Sequence, residues 1–281
     1  MKDKTCVITG ATDGIGLETA ARLGALGARL VLVGRNRSKG EAALVAIRAR
    51  APGVAVEMHY ADLSSQAEIR RLAPELQVTA PRIDVLVNNA GAFFAKRAIT
   101  VDGIERTFAL NHLGYFLLTD LLRANIVAAA SGRIVNVASG AHRTATLDFG
   151  DLQTAKSYSG WKAYQRAKLC NVLFTRELAR RLAGTGVTAN SLHPGFVATS
   201  FGDNNRGLTR FVVGLAKRFM AIPVETGAET PVYLAASPEV DGDTGRYYGE
   251  CHEQTPSVAA QDDETAARLW RESAVLTGLP F

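Results

Sequence analysis

The chain has 281 residues, of which 47% are hydrophobic and 21% are charged. This is an ordinary globular balance, and it excludes a disordered chain. The formal net charge of +5 is mild and spread along the sequence, so we expect no nucleic-acid partner. No apolar stretch approaches the ~18 residues that a membrane span needs, and no signal peptide precedes the first apolar run. We therefore expect no transmembrane segment and a cytoplasmic location.

The cysteines and histidines show no disulfide or metal-binding pattern. The three cysteines are odd in number and widely separated, without a CxxC pair, and the five histidines lack HxxH and HExxH spacings. These features argue against a disulfide framework and against a zinc cluster. The sequence therefore predicts a reduced protein without a metal site.

Short β-branched runs alternate with longer segments of helical spacing, which is typical of βαβ units. The predicted strands are Thr5–Thr9, Ala28–Val33, Val54–Tyr60, Val85–Asn88, Arg133–Val137, Thr188–Leu192 and Arg246–Tyr248. The predicted helices are Gly14–Leu26, Lys39–Arg50, Gln66–Leu76, Gly103–Ala129, Trp161–Leu182, Glu225–Ala236 and Glu264–Leu276. This order predicts an α/β Rossmann fold, a doubly wound parallel sheet of about seven strands with helices on both faces.

No Pro/Gly/Ser-rich linker divides the chain, so we expect a single domain over residues 1–281. The nucleotide-binding part is expected over roughly residues 1–140, and the catalytic and substrate-binding part over roughly residues 141–281.

A glycine-rich loop follows the first predicted strand, in the run Gly10-Ala11-Thr12-Asp13-Gly14-Ile15-Gly16. Gly10 permits a tight strand-to-helix turn, Gly14 lets backbone approach a pyrophosphate, and Gly16 allows close helix packing. The helix that follows offers free N–H groups and partial positive charge to an anion. A plain turn would also use glycine. The strand before the loop and the helix after it favour nucleotide binding, and no GK[ST] follows that would indicate a Walker-type NTPase.

The residues after the second strand indicate which nucleotide is bound. That strand ends at Val33-Gly34, where an NAD enzyme normally carries an acid for the ribose diol. Arg35 comes next, with Asn36 and Lys39 close behind. A guanidinium can hold a phosphate through two parallel hydrogen bonds, so the pattern predicts NADP(H) in preference to NAD(H). The alternative is a solvated basic turn before a helix.

Tyr164 and Lys168 are four residues apart in a strongly helical segment and therefore lie on one helix face. A nearby ammonium favours phenolate, so we expect the pKa of Tyr164 to lie below the usual value of about 10. Tyr164 would then serve as an acid or base near neutral pH. Such a pair also arises by chance on surfaces.

Ser139 stands at the end of the fifth predicted strand, and ligands of open α/β sheets lie outside the carboxyl ends of the strands. A serine before glycine can also simply start a turn. Val137 and Ala141 occupy the places that a GxSxG elbow would fill with glycine, which excludes a serine hydrolase of that kind. His142 is therefore interpreted as part of the loop wall.

Taken together and in this order, the motifs resemble the short-chain dehydrogenase/reductase superfamily over nearly the whole chain. The matching residues are Thr9-Gly10 with Gly14-Ile15-Gly16, Asp62-Leu63, Asn88-Asn89-Ala90-Gly91, Asn111, Ser139, Tyr164 with Lys168, and Pro194-Gly195. Within the superfamily the chain most resembles the retinol-dehydrogenase-like branch. That narrower likeness rests on Arg133–Val137, Leu169–Phe174 and Leu269–Ser273.

The resemblance implies roles for the site residues. Ser139 would bind the substrate oxygen, Tyr164 would transfer the proton, Lys168 would lower its pKa and hold the nicotinamide ribose, and Asn111 would hold a relay water. The implied cofactor-binding residues are Gly10, Thr12, Asp13, Gly14, Ile15, Gly16, Arg35, Asn36, Lys39, Asp62, Leu63, Asn88, Ala90, Gly91, Tyr164, Lys168, Pro194, Gly195, Val197 and Thr199. Asp13 counts against NADP(H), because some NADP-preferring relatives carry a basic residue there.

The resemblance also implies the activity, an NADP(H)-dependent oxidoreductase that acts on the CH–OH or C=O group of a small hydrophobic substrate. A ketone, an aldehyde, or a retinoid- or steroid-like compound would fit. Two alternatives stay open: a C=C reductase of the protochlorophyllide reductase kind, and a non-catalytic NADP(H)-binding sensor. Superfamily members often pair through their two long helices, so a homodimer is one expected state.

An apolar stripe through Leu208, Phe211, Val212 and Leu215 has helical spacing and follows the expected nicotinamide segment. The stripe predicts a substrate-binding lid over residues 200–222. Packing on the core and a helix lying on a membrane surface are the alternatives.

Overall fold

The computed structural model describes residues 1–197 and 222–280. Thr199 and the predicted lid, except for Ile222, lie outside the described residues, so the lid stays a prediction. In the described ranges, we find no helix that is both long enough and apolar enough to cross a membrane.

Eight strands form one sheet in the order β3-β2-β1-β4-β5-β6-β7-β8. The strands are β1 (Thr5–Thr9), β2 (Arg29–Gly34), β3 (Val56–Tyr60), β4 (Val85–Asn88), β5 (Arg133–Val137), β6 (Thr188–His193), β7 (Tyr247–Gly249) and β8 (His252–Glu253). All neighbours are parallel except β7 and β8. The predicted doubly wound α/β fold is confirmed.

The eighth strand is an addition to the prediction. Glu250 and Cys251 connect β7 to β8 and both adopt left-handed backbone, with φ of 52° and 62°. Two successive residues with positive φ make the tight turn that an antiparallel hairpin needs. Neither residue type normally signals such a turn, so the hairpin is not evident from the sequence.

The helices alternate with the strands and cover both faces of the sheet. They are α1 (Gly14–Ala25), α2 (Arg37–Arg50), α3 (Gln66–Thr79), α4 (Arg106–Phe108), α5 (Gly114–Leu121), α6 (Arg123–Val127), α7 (Gly160–Arg181), α8 (Val224–Gly227), α9 (Glu229–Ala236) and α10 (Asp263–Thr277). Strand residues such as Val7 and Leu86 pack against α3, α5 and α7. Their neighbours Ile8 and Val87 pack against α1, α2 and α9 on the opposite face. Strands covered on both faces explain the continuous apolar runs in the sequence.

The long helix predicted over Gly103–Ala129 is interrupted. A π-helical turn, Ala109–Leu113, separates α4 from α5, and a break at Leu122 separates α5 from α6. The side-chain amide of Asn111 donates to the carbonyl of Thr107, the acceptor that its own backbone N–H would take in an α-helix. Because this side-chain hydrogen bond takes the place of the backbone one, it favours the wider π-helical turn. Such turns often occur at functional sites.

The strand order places a switch point between β1 and β4. The chain runs outward from β1 through β2 to β3, and then returns to start β4 on the other side of β1. Ligands of open α/β sheets bind in the crevice that forms where the strand order reverses, beyond the carboxyl ends of the strands. The fold thus places the candidate site there.

Candidate active site

A cleft of about 770 Å³ opens at the carboxyl ends of β1 to β6. It brings together most of the residues predicted from the sequence. These are Gly10, Thr12, Asp13, Gly14, Ile15, Arg35, Asn36, Lys39, Asp62, Leu63, Ala90, Gly91, Asn111, Ser139, Tyr164, Lys168, Pro194, Gly195 and Val197. Gly16 and Asn88 do not line the cleft, and Thr199 lies outside the described residues.

The glycine loop has the geometry of an anion cradle. Gly10 and Gly14 both adopt left-handed backbone, with φ of 66° and 52°. A Cβ on Gly10 would lie 2.8 Å from the Cα of Ala90, so the two loops touch backbone to backbone. Asp13 caps α1 by accepting a hydrogen bond from the N–H of Gly14 at 2.8 Å. The remaining N–H groups of this helix end face the cleft, where they favour an anion.

Two adjacent asparagines at the end of β4 have structural roles. The amide of Asn88 is fully buried and donates to Thr119 Oγ1 and Asn136 Oδ1, both at 2.9 Å. Asn88 therefore joins β4 to β5 and α5 beneath the cleft floor. Asn89 lines the cleft although it was not among the predicted site residues. Its amide donates to the carbonyl oxygens of Thr9 and Gly10 at 2.9 and 3.2 Å, which fixes the start of the glycine loop.

At the β2 end of the cleft, cations and carboxylates alternate. The Arg35 guanidinium lies 3.5 Å from Asp62, and the Lys39 ammonium lies 2.8 Å from Asp13. Asn36 caps α2 by accepting from the N–H of Lys39 at 3.0 Å. The side chains of all four charged residues are more than one-third exposed. Exposed pairs of this kind contribute little to stability, so each cation can exchange its carboxylate for another anion.

The other end of the cleft holds the predicted catalytic set. Tyr164 and Lys168 lie on α7, and both are more than nine-tenths buried. The Lys168 ammonium donates to the carbonyl of Val137 at 2.8 Å and lies 5.8 Å from the centre of the Tyr164 ring. The Ser139 hydroxyl is hydrogen-bonded to the Tyr164 phenol. Ser139, Tyr164 and Lys168 therefore converge at the end of β5.

Burial controls the acid–base properties of this set. It raises the pKa of the Tyr164 phenol to about 12, against the opposing effect of the hydrogen bond with Ser139. It lowers the pKa of the Lys168 ammonium to about 7. The expected lowering of the Tyr164 pKa is therefore wrong for this structure, because burial disfavours the charge on both groups. At neutral pH the phenol keeps its proton and can donate it.

Asn111 positions the backbone beside Lys168. Its amide donates to the carbonyl of Ala92 at 3.0 Å, and its Oδ1 accepts from the N–H of Ala92 at 3.1 Å. A Cβ on Gly91 would lie 2.7 Å from this Oδ1 and 3.5 Å from the Lys168 ammonium. Asn111 and Lys168 thus meet over Gly91, where only a glycine leaves room. The role of Asn111 in a water relay stays a prediction.

An aromatic wall beside Tyr164 was not predicted from the sequence. We use this name for Phe94, Trp161 and Phe196, which all line the cleft. The Trp161 ring is 51% exposed and stacks on Tyr164 with a centroid distance of 5.8 Å and an interplanar angle of 24°. Trp161 precedes Tyr164 by three residues on the same helix, and this spacing could have identified it.

In the ranges 1–197 and 222–280, no group of three or more histidine, cysteine, aspartate or glutamate residues could hold a metal ion.

Comparison with known proteins gives consistent results. A family model described as short chain dehydrogenase matches residues 4–207. Human Retinol dehydrogenase 14 is 42% identical, with 99% of this chain and 88% of that protein covered. Human Retinol dehydrogenase 13 is 41% identical, with 98% and 85% covered. A crystal structure from Mycobacterium paratuberculosis has a TM-score of 0.80 at 33% identity and covers 100% of this chain and 95% of that one. The Pseudomonas aeruginosa RhlG/NADP active-site complex has a TM-score of 0.70 at 25% identity and covers 88% and 94%.

The fold is that of a doubly wound, nucleotide-binding α/β protein, and the family comparison makes it an oxidoreductase. The chain belongs to the short-chain dehydrogenase family. The predicted resemblance to the retinol dehydrogenases is confirmed. The reaction of this chain, as a member of that family, is hydride transfer between a nicotinamide cofactor and an alcohol or carbonyl group.

The buried ammonium of Lys168 gives the first testable prediction. A free lysine keeps its proton up to a pH of about 10.4, whereas Lys168 loses it near pH 7 in the folded chain. The unfolded chain therefore binds more protons between these values, and stability rises with pH across this window. Lys168→Met removes the charge, so the variant should be more stable than the wild type at pH 6, with a gain that shrinks toward pH 10. Urea unfolding midpoints at several pH values measure this difference.

Lys162→Met is the matched control, since Lys162 is an exposed lysine on the same helix. It should leave the pH dependence of the midpoint unchanged. A Lys168→Met gain of the same size at every pH would contradict the prediction.

Proposed function

We propose that this protein is an NADP(H)-dependent reductase of hydrophobic ketones or aldehydes that can also oxidise the corresponding alcohols. The observation that carries the proposal is the continuity of one cleft. It runs from the exposed cations Arg35 and Lys39 to the partly buried Ser139 and the buried Tyr164 and Lys168.

The residues along the cleft fit a nicotinamide dinucleotide. The glycine loop offers helix N–H groups to a pyrophosphate at the middle of the cleft. Gly91 and Lys168 both line the cleft, so a ribose that lies along Gly91 would be close to the ammonium. Pro194, Gly195 and Val197 border the reacting end and would hold the nicotinamide.

When bound, the cofactor supplies or accepts the hydride at the substrate carbon. Ser139 orients the substrate oxygen through its hydroxyl. Tyr164 donates its proton as negative charge develops on that oxygen. Lys168 holds positive charge beside the phenol at the moment when the phenolate forms, which stabilises the developing charge.

Burial affects how the two directions respond to pH. Reduction needs a protonated Tyr164, and the raised pKa of the phenol extends that form to higher pH. Oxidation needs the phenolate, so its rate should increase with pH.

The proton donor gives the second testable prediction. Tyr164→Phe keeps the ring that stacks on Trp161 and removes only the hydroxyl. NADPH binding should be retained, while kcat should fall by about 10²–10⁴-fold, the usual contribution of a general acid. Steady-state reduction of an aldehyde panel, with NADPH affinity from fluorescence titration, measures both quantities.

Tyr233→Phe is the control, since Tyr233 bonds to Glu239 away from the cleft. It should behave as the wild type. If Tyr164→Phe kept more than about a tenth of the wild-type kcat, the proton would come from another group.

The end of β2 supports NADP(H). A Cβ on Gly34 would lie 2.3 Å from Thr12 Cγ2, so this position has no room for the carboxylate that would bind a free ribose diol. Arg35 follows directly and lines the cleft. Its ion pair with Asp62 is long and exposed, so a 2′-phosphate can replace the carboxylate and bind the guanidinium.

Arg35→Ala gives the third testable prediction. A hydrogen bond to a charged group contributes about 1.5–3 kcal/mol, or roughly 10- to 150-fold in affinity. NADPH should bind more weakly by an amount in this range, and NADH affinity should stay nearly constant. Titration of both coenzymes measures the difference, with Arg37→Ala as the control because Arg37 packs over the Tyr60 ring. An equal loss for both coenzymes would show that Arg35 acts on the fold.

The aromatic wall supports a hydrophobic substrate. Phe94, Trp161 and Phe196 line the cleft together with Tyr164, and the Trp161 and Phe196 side chains are exposed there. Burial of apolar area drives binding at such surfaces. The relatives named retinol dehydrogenases are consistent with a bulky apolar alcohol or aldehyde.

Trp161→Ala gives the fourth testable prediction. Loss of this surface should raise KM for large apolar aldehydes by about tenfold, which corresponds to roughly 1.4 kcal/mol of lost apolar contact. KM for acetaldehyde should change little, because a small substrate does not reach the wall. Trp161→Phe keeps an aromatic face and should give an intermediate KM. Equal changes for large and small aldehydes would contradict contact between Trp161 and the substrate.

A further inference from the structure

Two histidines beside the reacting end have no part in the steps described above. His142 is fully buried in the 3₁₀ turn Gly140–Thr144, directly after Ser139. His193 ends β6, directly before the Pro194-Gly195 turn. Each histidine is therefore next to a segment that lines the cleft, one on the Ser139 side and one on the Gly195 side.

Both ring nitrogens of His142 are engaged. Nδ1 lies 2.7 Å from the carbonyl oxygen of Ser139, and Nε2 lies 3.2 Å from the backbone nitrogen of Ser257. The N–H of Ser257 can only donate, so Nε2 must accept and carries no proton. Nδ1 then carries the proton and donates it to Ser139. His142 is therefore a neutral imidazole that connects the Ser139 backbone to Ser257.

His193 is engaged in the opposite sense. Its Nδ1 accepts from the N–H of Gly195 at 3.2 Å, and its Nε2 lies 3.1 Å from Oε1 of Gln254. Arg143 also donates to this Oε1, at 3.5 Å, which identifies the oxygen as an acceptor. Nε2 of His193 therefore carries the proton, and the two histidines are held in opposite tautomers.

The residues that meet both histidines belong to one stretch of chain. We call residues 254–257, which follow β8, the tail segment. It supplies the Oε1 of Gln254 to His193 and the N–H of Ser257 to His142. Arg143 holds the same segment by donating to the carbonyl of Thr255 at 3.0 Å.

The ring of Tyr247 joins the two histidines from β7. It lies edge-on to His142 with a centroid distance of 4.8 Å and stacks on His193 with a centroid distance of 5.7 Å. Tyr247 is buried, so this arrangement is rigid packing. The distance between the Ser139 side and the Gly195 side of the cleft is consequently fixed through His142, Tyr247 and His193.

We propose that His142 and His193 are positioning residues for hydride transfer, which the tail segment holds in opposite neutral tautomers. The proposal rests on the proposed function, in which Ser139 orients the substrate oxygen and the Gly195 turn borders the nicotinamide. Hydride transfer needs the nicotinamide carbon and the substrate carbon at a close and fixed separation. The substrate would contact Ser139 and the nicotinamide would contact the Gly195 turn, and the two histidines hold these two segments. Neither histidine acts as a general base, because each ring nitrogen already has a partner.

The experiment compares His142→Phe with His142→Asn, and His193→Phe with His193→Asn. Phenylalanine keeps the ring packing against Tyr247 and removes both hydrogen bonds. Asparagine places a polar atom close to the position of Nδ1, so it can donate to the Ser139 carbonyl or accept from the Gly195 N–H. His252→Phe on the exposed strand β8 is the matched control.

Each phenylalanine variant should lower kcat for aldehyde reduction by about 10- to 100-fold, the scale expected when reacting groups are misplaced by a fraction of an ångström to an ångström. NADPH affinity should stay close to that of the wild type, while the melting temperature should fall modestly, because phenylalanine leaves the former partners of the imidazole without a hydrogen bond. The asparagine variants should recover most of the lost kcat. An unchanged kcat would overturn the proposal. The proposal would also be overturned by a fall in kcat that accompanies falls in NADPH affinity and in melting temperature, if the asparagine variants did not restore kcat.

A second measurement does not depend on activity. Long-range ¹H–¹⁵N NMR of the wild-type protein at pH 7 should show His142 protonated on Nδ1 and His193 on Nε2. The same tautomer for both rings, or a cationic His142, would overturn the proposed network. If the wild type reduced no carbonyl compound, the proposed function would fail, and the tautomers would still decide whether the tail segment holds the two rings as described.

Discussion

The hydrogen bond from the Lys168 ammonium to the carbonyl of Val137 is the contact on which the reacting end depends. It fixes α7 against the end of β5, and Tyr164 and Ser139 then face each other from these two elements. The ammonium is nine-tenths buried, and the loss of its hydration opposes folding. The apolar core around α7 offsets this cost, so the buried lysine lowers the net stability of the fold without preventing folding.

The same burial decides the chemistry of the tyrosine. Phe93, Trp161 and Tyr164 form one aromatic cluster, in which Phe93 lies edge-on to both other rings. Burial removes water from the phenol and disfavours the phenolate, which raises the pKa of Tyr164. Proton donation to a substrate oxygen then becomes favourable only when that oxygen gains negative charge during hydride transfer. Trp161 belongs to this cluster and to the aromatic wall, so it contributes to the burial of the acid and also lines the cleft.

Local sequence patterns predicted the parts of the molecule that depend on local physics. The strands follow from continuous apolar runs, and the Gly10–Gly16 loop follows from its place between a strand and a helix. The π-helical turn at Asn111 could not be predicted, since it depends on a side-chain hydrogen bond that competes with the helix backbone. The direction of the Tyr164 pKa also escaped prediction. It depends on burial of the phenol in the folded chain, where residues distant in sequence such as Phe93 contact the ring, whereas the Tyr164–Lys168 spacing alone suggests only charge attraction.

The two ends of the cleft differ in their exposure to water. The β2 end is partly exposed and would bind the coenzyme, whereas the reacting end is largely buried. At the β2 end, the Asp13 and Asp62 side chains are partly exposed, so water could solvate their carboxylates if another anion took their cations. Coenzyme choice at this end can therefore change at little cost to the fold. At the reacting end, water cannot solvate a buried group that loses its partner, so that group bears its full desolvation cost. The serine, tyrosine and lysine consequently require the rigid support that β5, β6 and the tail segment provide, and we expect substitutions in this support to affect turnover before they affect coenzyme binding.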